Sequence, residues 1–152
     1  MFWIHGGGNT SGEAASYDFS KLASAHELVI VSINYRLGFL GWFYHPSFAA
    51  TSNNLEDKSG NFGTLDQIMA LKWVKENIDD FGGDKNNVTI FGESAGGHNV
   101  FALLSSPLAK GLFHKAISQS GATNTFDLEE ASKFFDNKES SLLTSSKEVV
   151  SK

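Results

Sequence analysis

The sequence Gly92-Glu93-Ser94-Ala95-Gly96 lies between a predicted strand and a predicted helix, and this junction constrains the fold more than any other feature. An apolar run rich in β-branched residues precedes it at 87–91, and the apolar spacing over 97–105 is typical of a packed helix. A chain that passes from strand to helix within about two residues forces the residue between them into a strained backbone conformation. A β-carbon at either flanking glycine would collide with the turn. The turn therefore lifts the Ser94 hydroxyl above the sheet, at the positive end of a helix, where a nucleophile needs to be.

A second glycine-rich segment, Gly6-Gly7-Gly8, follows the apolar strand predicted at Phe2–His5. Three glycines let backbone N–H groups turn toward a ligand without interference from side chains. Acyl transfer needs such donors, because the carbonyl oxygen gains negative charge during nucleophilic attack. A phosphate-binding loop would require a Lys followed by Ser or Thr, or a G-x-G-x-x-G spacing, and Asn9-Thr10-Ser11-Gly12 offers neither. The order of the two motifs therefore predicts an oxyanion hole beside a nucleophile.

Strand and helix patterns alternate along the chain, which predicts an α/β fold with a mostly parallel sheet flanked by helices. The best-supported helix is expected at Leu65–Ile78, where Thr64 and Gln67 are interpreted as a capping box. The continuous aliphatic run at 28–31 is expected for a strand that is covered on both faces. Strands are predicted at Phe2–His5, Leu28–Asn34, Asn87–Phe91 and Lys115–Gln119, and helices at Phe19–His26, Leu65–Ile78 and Gly97–Ser105.

Composition indicates a globular piece of one domain and argues against several classes of partner. The chain has 152 residues, of which 41% are hydrophobic, enough to bury a single core. The formal net charge is −5 and no basic stripe runs between the aromatic residues, so nucleic acid is not an expected partner. No apolar run in the sequence reaches the roughly 18 residues that a membrane-spanning helix needs. The chain contains no cysteine, and nothing in the sequence indicates a cell compartment.

Several polar residues near the motifs are interpreted as structural. Asp66 falls in the first turn of a predicted helix, where a carboxylate is stabilised by the positive end of the helix dipole. Glu93 is expected in a structural ion pair, and Arg36, the only arginine of the chain, is one candidate partner. The same arginine could instead brace the loop after the second strand. His98, one helical turn after Ser94, is disfavoured as a base, because the turn aims the serine away from its own helix.

The connection from Gly41 to Gly60 is predicted as a long loop that carries several aromatic residues. Long loops without secondary structure in compact domains are usually functional or disordered. The aromatic side chains either cover the end of the sheet or, between Phe39 and Phe48, form a wall of an acyl or alcohol pocket. The sequence alone leaves both interpretations open.

These motifs, with further segments in the same order, resemble the type B carboxylesterases, the carboxylesterase/cholinesterase family of the α/β-hydrolase fold. The resemblance covers most of residues 1–121 and implies a sheet in the spatial order second, first, third and fourth predicted strand. It is carried by Phe2 to Gly8, Ser32 to Gly38, Gly60 to Gln67, Ala70 to Val74, Asn77-Ile78, Phe81 to Asp84, Val88 to Gly97 and Ala116 to Gly121.

The resemblance implies a serine esterase that hydrolyses a small-molecule ester through an acyl-enzyme. Ser94 is then the nucleophile. The oxyanion donors are the backbone N–H groups of Gly7, Gly8 and Ala95, and Gly6 is the less suitable donor. The resemblance implies no metal and no organic cofactor.

The catalytic triad of this fold runs in the order Ser, Asp or Glu, His, so the acid and the histidine are expected beyond Lys152. None of the five histidines lies in a segment that resembles the family's catalytic one. His5 is expected to orient the glycine loop or to pack beneath it, and the other three, besides His98, are expected at the surface or at helix ends: His26, His45 and His114.

The chain is accordingly expected to be a fragment. Residues 1–122 are predicted as a partial α/β-hydrolase catalytic domain, and residues 123–152 as a truncated, polar helical segment of the same domain. Ser145 and Glu148 are interpreted as a capping box near its end.

Two other classes of function remain open. One is a related α/β-hydrolase chemistry, the cleavage of an amide, a thioester or a lactone. The other is a non-catalytic, cholinesterase-like binding or adhesion module. The presence of Ser94 and of all three loop glycines argues against the second.

Overall fold

The computed structural model of the protein describes residues 1–123 and 125. Within these residues a single sheet contains four parallel strands in the order β2-β1-β3-β4. The α/β class and the strand order expected from the sequence are confirmed. The strands are β1 (Phe2–Ile4), β2 (Val31–Ile33), β3 (Thr89–Glu93) and β4 (Lys115–Gln119).

The helices lie in the connections between strands, as parallel strands require. Helix α1 (Ser20–His26) joins β1 to β2, and α5 (Ala95–Ser105) joins β3 to β4. The connection from β2 to β3 contains α2 (Gly38–Gly41), α3 (Pro46–Thr51) and the long helix α4 (Phe62–Asn77). Short 3₁₀ turns lie at Ala14–Ser16, Asp57–Ser59, Ile78–Phe81 and Pro107–Ala109.

The two faces of the sheet bury different side chains, because successive residues of a strand point to opposite faces. One face contributes Phe2, Ile4 and Ile90 to the core that α4 and α5 complete. The helices supply mainly aliphatic side chains to it: Ile68, Leu71, Val74, Val100 and Leu103. On the other face Trp3 contacts Phe91, and the rings of Tyr17 and Phe19 pack against Trp3 with centroids 4.9 and 5.2 Å away. Helices and aromatic residues therefore cover β1 on both sides.

Strand β2 is shorter than the sequence predicts. The aliphatic run at 28–31 suggested a strand over Leu28–Asn34, but the strand begins at Val31 and ends at Ile33. Its register follows β1, with Phe2 opposite Val31 and Ile4 opposite Ile33. Because β1 itself has three residues, the ladder has no partner for a longer β2. The hydrophobic run correctly predicted where the strand lies, but the length of its neighbour β1 determines where it begins and ends.

The capping box predicted at Thr64 and Gln67 is wrong. Helix α4 begins at Phe62 with Asn61 as its N-cap, so Thr64 lies inside the first turn. Gln67 is fully buried in the helix interior and does not reach back to the N-terminus. The helix starts earlier because the Leu65 N–H already donates to the Asn61 carbonyl at 3.0 Å, and Gly63 in this turn lies against the ring of Trp42, where a β-carbon would clash. The first turn of the helix therefore packs against the preceding segment.

The predicted long loop between Gly41 and Gly60 is not structureless. It contains α3 and the 3₁₀ turn at Asp57–Ser59, and α2 immediately precedes it. The side chain of His45 accepts a hydrogen bond from the Ser47 backbone N–H at 3.2 Å and so caps α3. Pro46 at the first helical position favours the same start. The predicted division of the chain after residue 122, the polar segment beyond it and the capping box at Ser145 and Glu148 lie outside the described residues, residues 123 and 125 excepted.

Candidate active site

Ser94 lies alone between the end of β3 and the start of α5, in a backbone conformation that few residues adopt. Its φ of 54° and ψ of −119° are unfavourable for a residue with a β-carbon. Strain of this kind costs about 1–3 kcal/mol and persists only where the surrounding structure enforces it. Here the Ser94 N–H donates to the carbonyl of Gln119 at 2.9 Å, and the Ser94 carbonyl accepts from the His98 N–H at 3.0 Å. The strained turn predicted from the sequence is thus present and is held on both sides.

The serine hydroxyl is not used to cap its own helix. Ser94 occupies the N-cap position of α5, but its side chain makes no capping hydrogen bond. The first N–H groups of a helix have no intrahelical acceptor, so the N–H of Ala95 is available to a ligand near the hydroxyl. The side chain of Ser94 is partly exposed, whereas Ala95 is buried.

Gly92 and Gly96 permit the close approach of backbone segments around this turn. A β-carbon on Gly92 would lie 2.5 Å from the carbonyl carbon and oxygen of Gly96. A β-carbon on Gly96 would overlap the carbonyl oxygen of Ile4, at the end of β1. The first contact closes the strand-to-helix turn, and the second brings the helix against the strand that leads to the glycine loop.

The sheet register carries the glycine loop to the serine. Ile4 lies opposite Gly92 in the parallel ladder, so the chain leaving β1 reaches the level of Ser94 at Gly6. A β-carbon on Gly6 would lie 3.3 Å from the Ser94 β-carbon and 2.8 Å from the Glu93 carbonyl oxygen. The loop and the serine turn are therefore in direct contact, and the Glu93 carboxylate also lies beside Gly6, with Oε2 3.1 Å from the position of a β-carbon there.

Beyond Gly6 the loop turns in a conformation that suits glycine. Gly7 and Gly8 have φ values of 105° and 63°. The Gly7 carbonyl points into the loop, where it accepts from the N–H groups of Thr10 and Ser11 at 3.1 and 3.0 Å. Within the described part of the chain, the N–H groups of Gly7 and Gly8 have no hydrogen-bond acceptor. Both glycines are exposed to solvent.

His5 packs beneath the loop, as expected from the sequence. Its ring is buried and stacks on Tyr35 with centroids 4.4 Å apart. Its Nδ1 lies 2.8 Å from the carbonyl oxygen of Gly6. The Tyr35 hydroxyl donates to the backbone carbonyl of His5, and burial raises the pKa of Tyr35 to about 12. The tyrosine is therefore a neutral donor throughout the usual pH range, and the pair supports the start of the glycine run.

Arg36 pairs with Asp66 and not with Glu93, which settles the alternative left open by the sequence. Its Nε and Nη2 donate to the two carboxylate oxygens at 2.8 and 2.7 Å, and its backbone N–H donates to the same carboxylate at 2.9 Å. Partial burial alone would raise the pKa of Asp66, but the hydrogen bonds and charge of Arg36 outweigh it and lower that pKa. Asp66 is thus structural, and Glu93 is exposed beside the serine turn.

The five histidine side chains are all described, and none is hydrogen-bonded to Ser94 within the described residues. His98 contacts the serine through its backbone N–H. The others lie at the ends of elements or below the loop. His26 ends α1, His45 caps α3, and His114 accepts from the Val88 N–H at 3.1 Å through Nδ1. A histidine base for the serine is therefore not found between residues 1 and 123.

Two asparagines near the loop form a hydrogen bond that was not predicted from the sequence. Asn99, on α5, is almost completely buried, and its Nδ2 donates to Oδ1 of Asn9 at 3.0 Å. Asn9 directly follows the glycine run and has a left-handed φ of 59°. An amide in an otherwise apolar stretch of helix, one turn after Ala95, was the available signal. Only the fold shows that residues 90 positions apart in sequence form a pair.

Neither a metal-ligand group nor a membrane-spanning helix is found in the part of the chain that the structure describes. Residues 1–123 and 125 contain no group of three or more His, Asp or Glu side chains placed to hold a metal ion. In the same residues, no helix combines the length and apolar character needed to cross a bilayer.

Comparison with known proteins places these features in one family. The sequence model of the carboxylesterase family matches residues 1–143. The chain is 53% identical over 133 residues to the para-nitrobenzyl esterase of Bacillus subtilis, covering 86% of this chain and 26% of that protein. It is 57% identical over 119 residues to the medium-chain fatty acyl-CoA hydrolase precursor of Anas platyrhynchos, covering 78% of this chain and 20% of that protein.

Solved structures give the same result at the level of the fold. A thermophilic PNB esterase superimposes with a TM-score of 0.76 at 52% identity, covering 85% of this chain and 26% of that one. A carboxylesterase of Geobacillus stearothermophilus gives a TM-score of 0.68 at 46% identity, covering 76% of this chain and 24% of that one. The chain thus spans about a quarter of the length of these relatives.

Proposed function

Since the chain belongs to the carboxylesterase family, we propose that it is part of a carboxylic ester hydrolase in which Ser94 is the nucleophile. The Ser94 oxygen attacks the ester carbonyl carbon and gives up its proton to a base. The N–H groups of Gly7, Gly8 and Ala95 stabilise the oxyanion that forms. The carbon–oxygen bond to the alcohol then breaks and the alcohol leaves with the proton from the base. Water cleaves the acyl-enzyme and restores the serine.

The observation that supports this proposal most directly is the contact between the glycine loop and the serine turn. A β-carbon on Gly6 would lie 3.3 Å from that of Ser94, so the loop that carries the proposed donors begins next to the residue that carries the hydroxyl. A tetrahedral intermediate needs donors about 2.7–3.1 Å from its oxygen and a nucleophile bonded to the same carbon. Loop and turn lie on neighbouring strands of a parallel sheet, which is a rigid support for such a site.

The base and its acidic partner are proposed to lie beyond Lys152. No described histidine is hydrogen-bonded to the serine side chain, and the chain covers about a quarter of its relatives. We therefore expect the 152 residues alone to show little esterase turnover. A p-nitrophenyl butyrate assay of this chain tests the point. Turnover that disappears in Ser94→Ala would place a working base within these residues and contradict the proposal.

A chimera tests the role of Ser94. The aligned segment of this chain replaces its counterpart in the Bacillus subtilis para-nitrobenzyl esterase, with which it shares 53% identity, so that the relative supplies the remainder. Ser94→Ala is expected to lower kcat by about 10⁴-fold or more, because the nucleophile acts with its partners as a unit. The matched control is Ser105→Ala on the same helix, whose hydroxyl bonds the Phe101 carbonyl at 3.0 Å. If Ser94→Ala keeps its rate while the control behaves as the parent, the nucleophile is wrongly assigned.

Thioester hydrolysis is a second candidate, favoured by the name of the fatty acyl-CoA hydrolase precursor that is 57% identical over 119 residues. The same nucleophile and oxyanion donors serve both ester types, since the attacked carbonyl is common to them. The ratio of kcat/KM for a medium-chain acyl-CoA to that for p-nitrophenyl butyrate separates the two. A ratio above one in the chimera, where the parent esterase gives a ratio below one, would favour the thioester.

A further inference from the structure

One side chain lies where the glycine loop, the serine helix and the second strand's exit meet. Asn99 is 3% exposed and sits four residues after Ala95, on the same face of α5. Its Nδ2 donates to Oδ1 of Asn9 at 3.0 Å. Burying an amide without a hydrogen-bond partner costs free energy, so the folded state favours the arrangement in which Asn99 is bonded to Asn9.

Asn9 transmits that geometry to the loop. It is joined directly to Gly8 by a peptide bond, and its own carbonyl accepts from the Gly38 N–H at 2.7 Å. Its left-handed φ of 59° is a conformation that asparagine adopts more readily than most residues. The far end of the glycine run is therefore held by one side-chain and one backbone hydrogen bond.

The near end of the run is held by a neighbouring group. The Tyr35 hydroxyl donates to the carbonyl of His5, one residue before Gly6. Burial raises the pKa of Tyr35 to about 12, so this donor is neutral. The two ends of the loop are therefore held by different groups, the near end by Tyr35 and the far end by Asn99 through Asn9.

We propose that Asn99 is a positioning residue for the oxyanion hole, which fixes the Gly7 and Gly8 donors relative to the Ala95 donor. This inference rests on the proposed function. The three N–H groups come from two separate elements, and a displacement of about 1 Å between them costs much of their effect. The Asn99–Asn9 hydrogen bond joins these elements with side chains that do not themselves touch the substrate.

The test uses Asn99→Ala and Asn9→Gly in the chimera, singly and together. Glycine at position 9 removes the amide and still tolerates the left-handed φ, so this variant is expected to fold even if Asn99→Ala does not. Each single change is expected to lower kcat for p-nitrophenyl butyrate by about 10–100-fold with KM changed less than about 3-fold, the pattern of lost transition-state stabilisation. The kcat of the double variant is expected to equal that of the less active single variant, because both substitutions remove the same hydrogen bond.

Asn77→Ala is the matched control. Asn77 also donates its Nδ2, to the Trp73 carbonyl at 2.8 Å, but at the far end of α4, and its loss is expected to leave kcat unchanged. Hydrogen exchange gives a readout without turnover: the Ser11 and Gly38 amides, both bonded within this loop region, are expected to exchange at least about 10-fold faster in Asn99→Ala.

The outcomes separate the inference from the function on which it rests. Normal kcat and unchanged exchange in both asparagine variants, with Ser94→Ala inactive, would overturn the positioning role and leave the nucleophile in place. An active Ser94→Ala would overturn both. A parallel rise in KM with unchanged kcat would show a role in substrate binding, which also contradicts the inference.

Discussion

The corner formed by residues 2–12 and 89–99 and the connecting segment 38–60 differ in how far they bury their apolar side chains. In the corner, glycines are required because backbone atoms of neighbouring segments touch, and the side chains there are mostly buried. In the segment, large apolar side chains stand in solvent: Phe39 is 63% exposed and Leu55 is 81% exposed. The geometry proposed for chemistry is therefore set by main-chain atoms. The segment beside it offers side chains that can change without disturbing that geometry.

The difference has an energetic cause. The corner holds Ser94 in a strained conformation through strand ladders on both sides of β1 and β3. The segment is built from α2 and α3, helices of four and six residues, which are too short to be stable in isolation. It is fastened by the Trp42 ring against Gly63 and by the Phe43 N–H, which donates to the Gly60 carbonyl at 3.0 Å. Its other ties to the sheet side are the Gly38 N–H, which donates to the Asn9 carbonyl at 2.7 Å, and the Trp42 ring, whose centroid lies 5.9 Å from that of Tyr35.

Gly96→Ala is expected to have the largest effect and tests whether the close backbone contact in the corner is needed for activity. The new methyl group would overlap the Ile4 carbonyl oxygen and push α5 away from β1. We expect kcat of the chimera to fall at least about 100-fold and stability to fall by about 1–3 kcal/mol, as in other overpacked sites. Gly111→Ala is the control for activity, since no atom lies within 4 Å of a β-carbon there and its φ of 75° adds only backbone strain, whereas Gly96 has no positive φ. Equal effects on activity in the two variants would mean that the corner is no more constrained than an open turn.

Tyr35→Phe tests whether the support beneath the loop matters. The change removes the donor to the His5 carbonyl and leaves the ring in place. We expect a loss of about 1 kcal/mol in stability and about a 10-fold lower kcat. The raised pKa means that the neutral hydroxyl is favoured in the folded state. Its contribution is complete below the unfolded pKa of about 10 and is lost as pH rises toward 12.

Urea unfolding at pH 8, 10 and 11 measures this difference. The stability advantage of the parent over Tyr35→Phe should be constant up to about pH 10 and then shrink. An advantage that grows with pH would show that the hydroxyl ionises more easily in the folded protein, contrary to its burial.

Asp66→Asn tests the ion pair that ties the exit of β2 to the start of α4. Arg36 is about half exposed, with a side-chain exposure of 48%, so we expect a loss of about 1 kcal/mol and no change in kcat. The pKa of Asp66 is lowered in the folded state, so the stabilisation is present above the unfolded pKa of about 4 and is lost as pH falls below it. Asp80→Asn, at an exposed position without a salt bridge in the described residues, is the control. A difference from the parent that persists at pH 2.5 would exclude the ion pair as its cause.

The sequence predicted the architecture well where local pattern and tertiary context agree. The strand at Lys115–Gln119 and the strained turn at Ser94 needed only hydrophobic runs and two glycines. The ends of β2 could not be predicted, because its three-residue neighbour sets them, and the start of α4 could not, because its first turn is closed by a backbone hydrogen bond from Leu65 to Asn61 that the apolar spacing does not show. The amide of Asn99 in its helix was a local signal, but its partner Asn9, 90 positions away in sequence, had none. Ser94, Gly7, Gly8 and Ala95 remain predictions as catalytic residues, although the structure brings their segments together.

Phe48→Ala is expected to have the smallest effect and addresses the segment itself. Phe48 is 55% exposed and contacts Phe43 with ring centroids 5.9 Å apart, so its loss should cost less than about 1 kcal/mol. The N–H of Gly38, the first residue of α2, donates to the carbonyl of Asn9, which places the start of the segment beside the glycine loop.

Two esters of different chain length test whether the aromatic residues of this segment line an acyl pocket. If they do, kcat/KM of Phe48→Ala for p-nitrophenyl octanoate should fall about 3–10-fold, while that for p-nitrophenyl acetate stays constant, because only the longer chain loses apolar contact. Leu55→Ala, outside the aromatic cluster, should change neither. Equal loss for both esters would instead assign the aromatic residues to covering the sheet.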